Sequence, residues 1–256
     1  MPKNPHVVAI LQARLGSTRL PEKTLKIIFD KPLLEHIIER VRAARRVHEV
    51  VVATSTARQD DPIADLAQRV GVHAFRGSED NVLERFYGAA ARHAADVCVR
   101  VTADDPFKDP EIIDQAIALL LENKHDYCSN TMQPTYPEGL DIEVFRFVVL
   151  QRAFKEASLP SDAEHVTPYI WKHPELFALH NFQCAQDLSH LRWTIDYEND
   201  LLFAREVYKR LYPEKHIFLM RDILKLLADE PSLSAINGGV ARNEGYQKSL
   251  KKEAAQ

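Results

Sequence analysis

The sequence predicts a single α/β domain built on a mostly parallel, mixed sheet, and three observations predict it. Short β-branched runs alternate with longer helical patterns through the first half of the chain, as in βαβ units. The run from Asp96 to Thr102 reads as an apolar-and-threonine strand of the type buried on both faces. At 256 residues with 45% hydrophobic residues, the chain can bury a substantial core and stands at the upper end for one domain.

Taken in order, Val7 to Gln12 reads as strand one and Pro32 to Ala44 as an amphipathic helix, with Leu33, Leu34, Ile37, Ile38 and Val41 on its apolar face. Val47 to Thr54 is strand two. Asp61 to Val70 is a helix with Pro62 in its first turn, and Val72 to Phe75 is a short third strand. Asn81 to Ala95 and Pro110 to Asn123 are helices on either side of the Asp96 to Thr102 strand. From His125 to Asp141 the chain is rich in Pro, Tyr, Asn and Gly, which predicts a strand pair or long loop. Glu143 to Ala157 reads as strand then helix, Asp162 to His173 as a helix, and Phe177 to Cys184 and Arg192 to Ile195 as strands. Asn199 to Leu211 and Phe218 to Asp229 are amphipathic helices. The domain is expected to span residues 1–245, with an arm or lid at about 125–145 and a frayed tail over 246–256.

Composition removes several function classes. The 33 Lys and Arg against 37 Asp and Glu give a net charge of -4 without a like-charge block, which argues against nucleic acid as a partner. Cys98, Cys128 and Cys184 form neither a CxxC pattern nor an even set, so they are expected as reduced thiols. No apolar stretch approaches the roughly 20 residues that span a bilayer, and none has the form of a secretory leader; a cytoplasmic protein without membrane contact is expected.

The most informative stretch is Gln12-Ala-Arg-Leu-Gly-Ser-Thr-Arg-Leu-Pro-Glu-Lys23, the loop after strand one. Ligands of open parallel sheets bind beyond the carboxyl ends of strands. Gly16 and Ser17 allow close approach of an anion, while Arg14, Arg19 and Lys23 can neutralise a triphosphate. A basic surface loop is the plain alternative. The spacing matches neither GxxxxGK[ST] nor GxGxxG. Two apolar strands end in carboxylates, at Asp104 and Asp196. A hard cation held against phosphate oxygens needs one or two such acids, although either could serve a helix start. Asp105 faces away from Asp104 on an extended backbone, and Asp109 and Asp200 read as caps.

The loop opening QARLGSTRLPEK resembles the nucleotide-binding signature of the cytidylyltransferase superfamily that makes CMP-activated acidic sugars, in its branch similar to spore coat polysaccharide biosynthesis protein F. Phe75 to Leu83, Arg100 to Pro106, Pro137 to Asp141 with Glu143, and Thr194 to Asp196 with Asp200 match as well. The resemblance implies a Rossmann-like, GT-A-like three-layer α/β/α nucleotidyltransferase domain, CTP as donor, Mg2+ held by Asp104 and Asp196, and a homodimer with a small dimerisation or acceptor arm. Arg14, Lys23, Asp104 and Asp196 are then the catalytic set. The nucleotide side comprises Leu11, Gln12, Ala13, Arg14, Gly16, Ser17, Arg19, Lys23, Thr54, Ser55, Arg76, Gly77, Ser78, Asp80, Asn81, Thr102 and Ala103, with Asp61 near the base. Ser78 and Asp80 would equally cap the helix from Val82. Arg100, Glu138, Asp141, Glu143, Glu164 and His165 form the acceptor side; a solvated hairpin and a packing role remain open for Glu138 and His165. The acceptor expected is a 2-keto sugar acid, serving surface polysaccharide or glycan precursor synthesis. A phosphorylated acceptor, GTP as donor, a GT-A glycosyltransferase and a non-catalytic nucleotide-binding protein are the alternatives.

Overall fold

A computed structural model of the chain describes residues 4–240 and 242–254. Residues 1–3, 241, 255 and 256, among them the end of the expected tail, lie outside the described residues. Strand β1 (Val7–Gln12) leads through a long loop to the hairpin β2 (Ile27–Ile28) and β3 (Lys31–Pro32), then α1 (Leu33–Arg42). β4 (Glu49–Ser55), α2 (Asp61–Arg69), β5 (His73–Gly77), α3 (Val82–Arg92), β6 (Val97–Thr102) and α4 (Pro110–Glu122) follow. The second half carries β7 (Tyr127–Ser129), β8 (Glu143–Arg146), α5 (Phe147–Glu156), α6 (Pro160–His165), α7 (Pro168–Trp171) and β9 (Leu179–Asn181). α8 (Glu198–Leu211), α9 (Met220–Asp229) and α10 (Glu244–Glu253) close the chain.

The main sheet has the order β5-β4-β1-β6-β8-β7-β9. β5, β4, β1 and β6 are parallel, β8 is antiparallel to both β6 and β7, and β9 is parallel to β7. Alternation along β1 divides the core into two layers, because successive side chains point to opposite faces. Val7, Ala9 and Leu11 pack with α1, α2, α4, α8 and α9, whereas Val8 and Ile10 pack with α3, α5 and α7. The result is the three-layer α/β/α sandwich expected.

Three expectations are corrected. Arg192 to Ile195 is no strand: it makes one isolated bridge, Glu138 to Arg192, and buries Trp193 and Ile195 without a ladder. The helix expected over Asp162 to His173 breaks at Val166 (φ 73°), because Pro168 cannot continue the hydrogen-bond ladder and restricts the residue before it. Within the segment 125–145, Asn130, Tyr136, Leu140 and Ile142 are buried. The tail from Gly245 forms α10, docked on α6 by His165 Nε2 to Ser249 Oγ (2.9 Å) and by the Ser161 amide donating to Glu253 (3.0 Å).

Candidate active site

The parallel strands β1, β4, β5 and β6 all end on one edge of the sheet, and the loop after β1 lies across it. β8 runs the other way, so its first residue Glu143 stands opposite Arg100 of β6 at that same edge. Asp104 follows β6 directly. The Ile195 amide donates to its carbonyl oxygen (2.8 Å), which brings Asp196 beside Asp104 from a distant part of the chain. Gly139 secures that approach from below, at φ 102°. A Cβ there would lie 2.7 Å from the Trp193 carbonyl carbon, so only glycine lets the two backbones touch.

Lys23, 12% exposed, bridges the two acids. Its Nζ donates to Asp104 (2.8 Å), to Asp196 (2.9 Å) and to the Ile195 carbonyl oxygen (2.9 Å). Burial works against its charge, but the two aspartates outweigh burial and its pKa lies above the ordinary lysine value. Burial likewise favours neutral carboxyls, yet Lys23 holds both Asp104 and Asp196 below the ordinary aspartate value, with Arg19 (2.5 Å) assisting at Asp196. Arg192 ties Asp196 (3.0 Å) to Glu138 (2.6 Å) and Asp200 (3.1 Å). Asp200 in turn accepts the amides of Asp196 and Tyr197 (both 2.9 Å), the cap read for it from the sequence. Asp109 caps α4 by accepting the Glu111 amide (2.9 Å).

Two cavities meet at this centre. The smaller, about 450 Å³, is lined by Gln12, Ala13, Arg14, Gly16, Ser17 and Arg19, and on its other walls by Lys23, Thr102, Ala103, Asp104, Glu164 and His165. The larger, about 570 Å³, is lined by Arg100, Glu138, Asp141, Glu143, His165 and Asp196, and shares Gln12, Arg19, Thr102 and Asp104 with its neighbour. The two spaces join at Asp104, and Glu164 lies on the smaller one. Glu143 is fixed by Arg100, Tyr127 (2.7 Å) and Thr167 (2.5 Å). His165 is pushed down to about 4, by burial first and then by Arg100, and so is neutral near pH 7.

The remaining expected residues line neither cavity. Leu11 is core, and Thr54 and Ser55 are fully buried. Ser55 donates to Asp60 (2.5 Å), which accepts the Leu15 amide (2.8 Å) and so holds the cationic loop down. Arg76 binds the carbonyl oxygens of Ser55 and Ala57 (both 2.9 Å) and pairs with Asp61 (2.6 Å). Asn81, not Asp80, caps α3 by accepting the Glu84 amide (2.9 Å); Ser78 accepts the Asn81 amide (3.0 Å), and Asp80 is exposed. Gly77 makes room for Phe75 and Arg85, whose atoms a Cβ would meet at 3.1 and 3.2 Å.

Sequence reading missed Arg85, Arg192, Arg242 and α10. Arg85 and Arg192 lie within regular-looking apolar segments, where an arginine reads as surface. Arg242 pairs with Asp141, and from α10 Glu244 stands 3.7 Å from Arg19 while accepting from Tyr197 (2.8 Å). The polar run after Gly245 has an amphipathic period, the one signal that could have revealed the helix. Among the described residues no group of three or more His, Cys, Asp or Glu could hold a metal, and no helix is long and apolar enough to cross a membrane.

The chain is similar to several known proteins. The chain is 32% identical over 211 residues to the spore coat polysaccharide biosynthesis protein SpsF of Bacillus subtilis, covering 80% of this chain and 87% of that protein. It is 41% identical over 120 residues to the 3-deoxy-manno-octulosonate cytidylyltransferase of Geobacter sulfurreducens, 46% of each chain. The solved structure of a cytidylyltransferase from Leptospira borgpetersenii superposes with a TM-score of 0.87 at 30% identity, covering 93% of this chain and all of that one. Residues 8–226 match the cytidylyltransferase family, and with a cationic loop, paired aspartates and a three-layer fold in place, the chain belongs to that family of nucleotidyltransferases.

Proposed function

We propose that the protein transfers CMP from CTP to a 2-keto sugar acid with release of pyrophosphate, in the cytoplasm, as a step of surface polysaccharide or glycan precursor synthesis. The observation that carries this reading is the meeting of a cation-lined cavity and a polar second cavity at Asp104, Lys23 and Asp196. The triphosphate fits the first and the acceptor the second, so that an acceptor oxygen faces the α-phosphorus across the junction. Little covalent work falls to the protein; it positions two reactants and neutralises charge.

Asp104 and Asp196 also fit Mg2+. Both converge on one cation, the Lys23 ammonium, and one or two carboxylates with substrate phosphates are the usual donor set for this ion. Bound there, Mg2+ would neutralise phosphate charge at the reacting centre. Lys23 keeps the two acids ionised and together, and Arg192 orients Asp196 from behind.

The wall of the larger cavity favours a sugar acid over a phosphorylated acceptor. Asp105, Glu138, Asp141 and Glu143 all face it, each already paired with a cation of the chain (Lys108, Arg192, Arg242 and Arg100), so the wall offers acceptors for sugar hydroxyls and little spare positive charge for a dianion. The homodimer belongs to the same reading, and sedimentation velocity tests it. The deciding assay is pyrophosphate release with each of the four nucleoside triphosphates and Mg2+, against 2-keto sugar acids and phosphorylated acceptors, with Asp104→Ala alongside. Release with CTP and a sugar acid, abolished in the variant, is the expected result; release with GTP or a phosphorylated acceptor would replace the proposed substrates.

A further inference from the structure

The smaller cavity is lined by a cation, Arg85, that forms no ion pair with any of the described residues. Arg85, on the inward face of α3, is 3% exposed and lines this cavity with Val82. Its Nη1 donates to the carbonyl oxygens of Ser78 and Glu79, the latter at 3.3 Å, while its Nε has no hydrogen-bond partner. Among the described residues it forms no ion pair. Burial first, and the positive charge of Arg14 second, push its pKa below the ordinary arginine value; Asp60 and Glu79 oppose this without pairing. Arg19 and Lys23, by contrast, are already matched by Asp196 and Asp104.

We propose that Arg85, together with Arg14, forms the subsite for the terminal phosphates of the nucleoside triphosphate and hence for the departing pyrophosphate. The assignment rests on the CTP reading above and adds a residue to it. A desolvated guanidinium with an idle N–H, facing a second cation, is unfavourable until a ligand brings both acceptor atoms and negative charge. A polyphosphate brings both, in the geometry guanidinium forks suit. A pyrimidine carbonyl would satisfy the N–H but leave the repulsion between Arg14 and Arg85. The α-phosphate belongs at the junction, where Asp104 is shared by both cavities; Arg85 stands on the α3 wall of the smaller one, so it meets the phosphates beyond.

The test is calorimetric titration of the full chain, wild type, Arg85→Gln and Arg85→Lys, with CTP, CMP, cytidine and inorganic pyrophosphate. Arg85→Gln is expected to weaken CTP and pyrophosphate by roughly 10- to 100-fold, the worth of a hydrogen bond to a charged group, and to leave CMP and cytidine unchanged. Arg85→Lys should restore part of the loss. Equal weakening of CMP and CTP would overturn the proposal in favour of a contact to the nucleoside, and no change with any ligand would reduce Arg85 to a packing role. Should Arg85→Gln not fold, Arg85→Lys carries the test by the same contrast of CTP against CMP. Wild-type protein that binds pyrophosphate but not CTP would keep the anion subsite while sinking the CTP reading.

Discussion

Lys23 stands between two acids that would otherwise face each other at the mouth of the sheet, and its removal separates positioning from charge. Lys23→Met leaves Asp104 and Asp196 with raised proton affinity and one cation fewer beside the phosphates. Pyrophosphate release is expected to fall on the order of 100- to 1,000-fold, as when one preorganised electrostatic contact is lost. The protein should stay folded by circular dichroism. Asp196 gives a pH prediction. Its folded pKa lies below its ordinary value of 3.8 despite burial, through Lys23 and Arg19. The folded state therefore binds fewer protons than the unfolded one in acid, and the stability Asp196 contributes is present above about pH 4 and lost as pH falls through its folded pKa. Urea denaturation between pH 3 and 7 should show a shallower acid decline for Asp196→Asn than for wild type; an unchanged decline would mean that the ion pair adds nothing to folding. At this scale the cationic loop and Asp104 were readable, since each sits in a short motif at a strand end; Asp196 was picked out by the same pattern, although no strand precedes it. Arg85 and Arg192 were not, because whether an arginine is buried depends on what packs over it.

The turn at Gly139 and the segment from Arg192 to Asp196 act as one structural unit. The Glu138 amide donates to Leu191 (2.9 Å) and the Trp193 amide to Glu138 (2.7 Å), with Gly139 pressed against the Trp193 backbone between them. Gly139→Ala is expected to cost about 2 kcal/mol or more, from a strained positive φ and a backbone clash. Because the clash pushes on the segment that ends in Asp196, catalysis should fall further than the loss of stability explains. A thermal shift with unchanged activity would separate the turn from the site. Sequence periodicity read α1, α4, α8 and α9 well, for each has an apolar stripe and a clear start. It overextended the helix across Val166 and took Arg192 to Ile195 for a strand, since an apolar, β-branched run shows burial without showing whether a ladder partner exists.

Over the whole molecule, Arg40 joins three parts of the chain beneath the sheet. At 1% exposure it donates to the carbonyl oxygens of Lys108 (2.7 Å) and Phe218, and its guanidinium lies 4.6 Å from the Phe218 ring centroid. Arg40→Leu would strand buried carbonyl oxygens on two segments, and a loss of about 3 kcal/mol is expected in urea denaturation. Nucleotide binding below the transition should remain near wild type, since Arg40 lines neither cavity. The sequence by itself determined the parallel half of the sheet, the edge on which the cavities open and the cationic loop there, because local hydrophobic period and strand-end motifs are properties of contiguous residues. Only the tertiary structure decided that β8 runs antiparallel and sets Glu143 against Arg100, that Asp196 meets Asp104 through Lys23, and that α10 borders both cavities. Each of these is a contact between residues far apart in the chain, chosen by the packing of both partners, which neither local pattern carries alone.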